Sequence, residues 1–164
     1  MLCVLLLLGA APTAGDAEQL AAKKQWDDLY LAWAAQKPDA FGDDDKKRIA
    51  KALGKGCVAL ASSDAVMAQS LGEKAVQFAD DTEALLCAAK AAVKSDQRGE
   101  AEGLLRTGRK TYPADERFAL ELAKLMLFEN DPASAIGQLQ AIGPKSKLKK
   151  EAAALTKKAQ AMEN

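Results

Sequence analysis

From Asp16 onward, stretches rich in Ala and Leu alternate with short polar breaks, and nine such stretches follow one another to the C-terminus. Within the last of them Leu148, Ala152, Leu155, Ala159 and Met162 recur three and four residues apart, which sets them on one face of a helix. The breaks fall at residues 37–43, 62–64, 79–81, 95–99, 112–115, 130–132 and 143–146. Each holds residues that end or begin a helix. Asp131 followed by Pro132 predicts a helix start, because the carboxylate can accept orphan amide hydrogens while proline presets φ at the first helical position. Ser63, Asp81, Asp115 and Ser146 are candidate caps of the same kind, and Pro113 and Pro144 stop the helices before them. Connections this short make sequential helices antiparallel neighbours.

The first residues break this pattern. Residues 2–8 are continuously apolar and uncharged, and small residues follow them, as in a secretory leader. The run falls short of the roughly 18 apolar residues that a membrane span needs. We therefore expect residues 1–15 to be a signal peptide, cleaved near Ala14 or Ala17, and residues 16–164 to form an exported domain, periplasmic or extracellular. No transmembrane anchor is expected after its removal. No Lys or Arg precedes the apolar run, which departs from the usual leader.

Composition agrees with helices, since 49% of the chain is hydrophobic but only 5% aromatic, and Ala and Leu carry most of it. Lys plus Arg equals Asp plus Glu at 23 each, so no overall charge gathers nucleic acid, and no nucleic-acid partner is expected. The chain has no histidine, which removes the commonest general base and zinc ligand together. Charge is uneven along the chain. Residues 16–45 hold eight acids against three lysines, whereas Lys145, Lys147, Lys149, Lys150, Lys157 and Lys158 make the C-terminal end basic.

The helices also repeat. Ala68, Ala101 and Ala135 lie 33 and 34 residues apart in corresponding stretches, and Ala89 and Ala123 are separated by 34 in the preceding ones, with Gly56 or Cys57 as their earlier counterpart. These small residues and spacings resemble the tetratricopeptide repeat family over three repeats, residues 45–142. Ala89 and Ala123 match the small residue midway along the family's first helix; Ala68, Ala101 and Ala135 match the one early in the second. Ala75 and Gly108 match a further small position two turns on, and Pro113 the proline that often ends a repeat. Ile142 and Asp80 depart from the pattern. Trp26, Leu29 and Trp33 are placed in the second helix of an earlier, degenerate repeat. The resemblance implies an all-α, antiparallel helix-pair solenoid of about four helix pairs, with residues 148–162 as a C-terminal capping helix over the last apolar face.

The same resemblance implies a concave face formed by first helices, which holds a peptide or partner protein. Mapped onto this chain, that face comprises Glu83, Leu86, Lys90 and Val93 from one repeat and Arg117, Leu120, Lys124, Leu127 and Phe128 from the next. Between residues 118 and 128 only Glu121 and Lys124 are not apolar, so this helix has more than one face to cover, either by neighbouring repeats or by a partner. Lys90 and Lys124, one repeat apart, are expected side by side, where an acidic partner segment would meet them.

Other features have plainer readings. Asp43, Asp44 and Asp45 lack the spaced ligands, glycine and distal Glu of a calcium loop, and suit the positive end of a helix dipole. Gly54-Lys55-Gly56 lacks the spacing of a phosphate loop. Cys57 and Cys87 fall in first helices of consecutive repeats and export would allow them to pair. Their Ala-rich surroundings favour two small, buried, free cysteines instead. No nucleophile, base and orienting group form a recognisable set, so no enzyme activity, cofactor or metal is expected. Two functions stay open: an exported, non-catalytic scaffold that binds another protein, and a structural envelope component that self-associates.

Overall fold

The structure, a computed structural model, describes residues 11–163, which form nine α-helices and one 3-10 turn with no strand among them. Residues 1–10, with most of the expected leader, lie outside the described residues. The helices are α1 (Ala14–Ala22), α2 (Trp26–Ala34), α3 (Asp43–Leu60), α4 (Ala65–Phe78), α5 (Thr82–Lys94), α6 (Arg98–Thr111), α7 (Arg117–Phe128), α8 (Pro132–Leu139) and α9 (Lys149–Glu163). A 3-10 turn over Pro38–Ala40 links α2 to α3.

Local chemistry accounts for most of the boundaries. Asp64, Asp81 and Asp131 cap α4, α5 and α8 by accepting from the amides of Met67, Ala84 and Ser134 at 3.0, 2.9 and 3.1 Å. Ser63, expected as a cap, gives way to Asp64, one residue closer to the helix. Asp115 stands one residue too early to cap α7, whose N-cap is Glu116; it accepts instead from the amide and guanidinium of Arg117. α1 starts earlier than Asp16, because Thr13 and Asp16 form a reciprocal capping box, the Asp16 carboxylate accepting from the Thr13 amide at 2.8 Å. Ala14 and Ala17, the expected cleavage points, are both buried inside this helix.

Three of the helix-to-helix turns share one geometry. Lys24, Asp96 and Asn130 adopt φ of 57°, 60° and 61°. The next amide, of Gln25, Gln97 or Asp131, donates to the carbonyl five residues back, on Leu20, Ala92 or Met126, at 2.9, 2.8 and 2.8 Å. That is the left-handed Schellman closure of a helix. Asp96 and Asn130 are 34 residues apart, so the backbone repeats the spacing of the small residues.

Packing is sequential, each helix against its neighbour in the chain, with a second set of contacts between alternate helices: α1 with α3, α3 with α5, α5 with α7, α7 with α9, and α2 with α4. Small residues make this close. Ala68, Ala89, Ala101, Ala123 and Ala135 are fully buried. α5 divides the core lengthwise. Ala84, Cys87 and Ala91 join the cluster built from α1 to α4, whereas Leu85, Leu86, Ala89 and Ala92 join the one that extends to α9. At the first cluster's edge Trp33, Phe41 and Phe78 pack as an aromatic trio. Lys74 reaches past Phe78 and donates to the last carbonyls of α2 and its turn, Ala34 at 3.0 Å and Gln36 at 2.8 Å. Its burial lowers the ammonium pKa.

The cysteines differ from expectation. Cys57 and Cys87 are joined by a disulfide that links α3 to α5, with Cα atoms 6.2 Å apart. An Ala-rich environment favours a free thiol only if no second thiol is near. Here α3 and α5 pack directly on each other. Gly72 of α4 lies over the bridge, where a Cβ would come within 3.0 Å of the Cys57 sulfur.

Candidate partner-binding groove

Three depressions lie along the surface shared by α3, α5 and α7, and they join into one strip. The first, about 610 Å3, is bounded by Lys47, Lys51 and Lys55 of α3 and by Asp81, Glu83 and Ala84 at the start of α5. A second, about 210 Å3, runs from Val58 and Glu83 past Leu86 and Cys87 to Lys90. The third, about 340 Å3, begins at Lys90 and has Ala89, Val93, Leu105, Leu125 and Phe128 as its apolar wall. Val58 and Glu83 belong to the first two, and Lys90 to the last two.

The strip exposes large apolar side chains. Phe128 is 65% exposed, Val58 63% and Val93 38%, one on each of the three helices. The Arg98 guanidinium lies over the Phe128 ring, 4.5 Å from its centroid. A helix as apolar as α7 has two faces to cover, and here most of it is covered from within: Leu120, Leu122, Leu125, Met126 and Leu127 are buried. Phe128 is the exception.

Of the nine residues mapped to the groove, six border the strip: Glu83, Leu86, Lys90, Val93, Lys124 and Phe128. Arg117 adjoins it through an ion pair with Glu83 at 2.5 Å and a second with Asp115 at 2.6 Å. These hydrogen bonds, with Asp115 the stronger, raise the Arg117 pKa and lower that of Asp115. Leu120 and Leu127 do not line it. Both are buried in the core between α5, α7 and the following helices, because the helix turn carries them inward from Lys124.

Lys90 and Lys124 do lie together, but not as unmatched charges. Glu121 stands between them, 3.3 Å from Lys90 and 3.0 Å from Lys124, and Glu151 of α9 reaches Lys124 at 2.8 Å. Burial works against the Lys124 charge, yet the two glutamates overcome it and raise the pKa. Three lysines without an ion pair stand on α3. Lys47, Lys51 and Lys55 are exposed, and no carboxylate lies within 4.0 Å of any of them. The repeat alignment missed them and Val58 because α3 was anchored only by Gly56 or Cys57. Their spacing of four residues was the available signal.

Among the described residues no three His, Cys, Asp or Glu side chains converge as a metal site, and no helix is long and apolar enough to cross a membrane. Comparison with protein-family models, with curated proteins and with solved structures finds no match to this chain.

Proposed function

We propose that the chain is an exported, non-catalytic scaffold, a tetratricopeptide-like helix-pair solenoid that holds a segment of another protein along α3, α5 and α7. The observation that carries this reading is the continuous strip with Val58, Val93 and Phe128 open to solvent. Alternate-helix packing and the turns repeated at 34 residues support the solenoid, in which first helices form one surface. The disulfide supports export, because such bonds persist in oxidising compartments.

The test is capture of partners by the mature chain and by a Val58→Asp plus Phe128→Asp variant. Both side chains are mostly exposed, so the variant keeps its helical signal and melting temperature. Loss of the parent's partners places binding on the strip; full retention rules the strip out. The second reading, self-assembly of the chain without a groove ligand, draws on Leu31, which is 72% exposed on α2 and lines none of the three depressions. Concentration-dependent light scattering that Leu31→Asp abolishes would favour it.

A further inference from the structure

The strip has two chemically different ends. At one end, Lys47, Lys51 and Lys55 follow one another about 6 Å apart along a single face of α3. The carboxylates around them are already engaged. Asp81 accepts from the Ala84 amide at 2.9 Å, Glu83 pairs with Arg117, and Glu18 of α1, although it also feels Lys51 and Lys55, is bound by Arg48 at 2.6 Å. Three ammonium groups therefore border the depression of about 610 Å3 without an ion pair, against two carboxylates in its wall that are held by other partners. At the other end, Phe128 and Val93 wall an apolar hollow in which Lys90 and Lys124 are neutralised by Glu121 and Glu151 and Lys94 donates to the Ala61 carbonyl at 2.7 Å. Along the strip, the lysines without an ion pair are thus Lys47, Lys51 and Lys55 of α3 and Lys94 of α5, which donates to the Ala61 carbonyl, and the exposed apolar side chains are Val58, Val93 and Phe128.

We infer that the strip takes an extended acidic segment of a partner protein, with carboxylates against Lys47, Lys51 and Lys55 and a bulky apolar side chain in the Phe128 hollow. The inference rests on the groove reading above. α3 and α7 are separated by two helix-packing distances, about 20 Å. An extended chain rises about 3.3 Å per residue, so the acidic cluster and the apolar anchor lie about six residues apart. A segment of uniform charge without the anchor, or an anchor without the acids, fills only half of the strip.

Two fluorescein-labelled peptides test this on the full mature chain by anisotropy. One has three glutamates, a six-residue Gly-Ser spacer and a phenylalanine; in the other, lysines replace the glutamates. The acidic peptide is expected to bind and the basic one not, with affinity falling as salt rises. Changing Lys47, Lys51 and Lys55 together to Gln should weaken the acidic peptide at least tenfold and flatten the salt dependence. Changing them to Glu should transfer binding to the basic peptide. Phe128→Ala should weaken the acidic peptide severalfold and leave the salt slope unchanged. Equal binding of both peptides, or a Gln variant that binds as the parent does, overturns the acidic specification. If Phe128→Ala nonetheless abolishes that binding, the groove reading survives. If neither peptide binds and Phe128→Asp leaves partner capture intact, both readings fail.

Discussion

Gly108 of α6 faces the ring of Phe118 so closely that a Cβ there would enter it. Phe118 is fully buried and stacked on Tyr112 at 6.1 Å, so it has nowhere to retreat. Gly108→Ala is therefore expected to destabilise the protein by about 1–3 kcal/mol, as overpacking does. Gly103, on the same helix, has nothing within 4 Å of its Cβ position. Gly103→Ala should stabilise by about 0.5–1 kcal/mol through helix propensity alone. Urea melts of the two variants, shifting in opposite directions, check the pair; a parallel shift would mean that packing does not set the Gly108 position. At this scale the sequence was informative where a residue's size matters. The Ala positions read as close contacts are buried, because repeat spacing reports a contact made again and again. Cys57 and Cys87 were misread, since pairing depends on how two helices face each other and local composition is silent on that.

Elements were legible largely through their punctuation. Asp64, Asp81 and Asp131 begin helices because an acidic side chain satisfies amides that nothing else in a short break can reach. The start of α1 was obscured because Thr13 and Ala14 adjoin an apolar run that reads as leader. Since Thr13 caps α1 and Ala14 is buried, the folded chain needs both. N-terminal sequencing of exported protein should find a first residue at or before Thr13, and a chain started at Glu18 should melt lower than one started at Thr13. A start at Glu18 with undiminished stability would count against the role of α1. The entry to α7 is acid-sensitive by the same logic of named partners. Hydrogen bonds from Arg117 lower the Asp115 pKa from 3.8, and those from Ser146 and the Gly143 amide lower that of Glu116 from 4.5. A carboxylate with a depressed folded-state pKa stabilises fully above its ordinary value and loses that contribution as pH falls through the folded value. Asp115→Asn should thus lower the melting temperature at about pH 6, and the gap to the parent should close as pH falls below the carboxylate's ordinary value of 3.8. A gap that persists in acid would show that Asp115 acts through shape rather than charge.

For the whole molecule, the order of helices was readable and the lining of the strip along α3, α5 and α7 only partly so. Lys90, Val93, Lys124 and Phe128 were placed by counting one repeat forward, and counting works where successive helices are equivalent. It failed for Leu120 and Leu127, which the helix turn carries into the core, and it passed over Lys47, Lys51 and Lys55, because only Gly56 or Cys57 tied α3 to the later repeats. It also could not show Glu121 answering both groove lysines. The disulfide acts at this scale as well. It closes a loop across 30 residues of sequence, and by the loop-entropy estimate its loss costs about 3–4 kcal/mol. Reduction under native conditions should lower the denaturation midpoint accordingly, while Cys57→Ala plus Cys87→Ala should melt like the reduced parent and ignore reductant. A parent indifferent to reductant would mean that helix packing alone sets its stability. The bond also divides the chain mechanically. Everything between Cys57 and Cys87, including all of α4, lies behind a covalent link and carries no tension when the ends are pulled. An oxidised molecule stretched to full extension should therefore come out about 100 Å shorter than a reduced one, at about 3.3–3.6 Å for each sheltered residue.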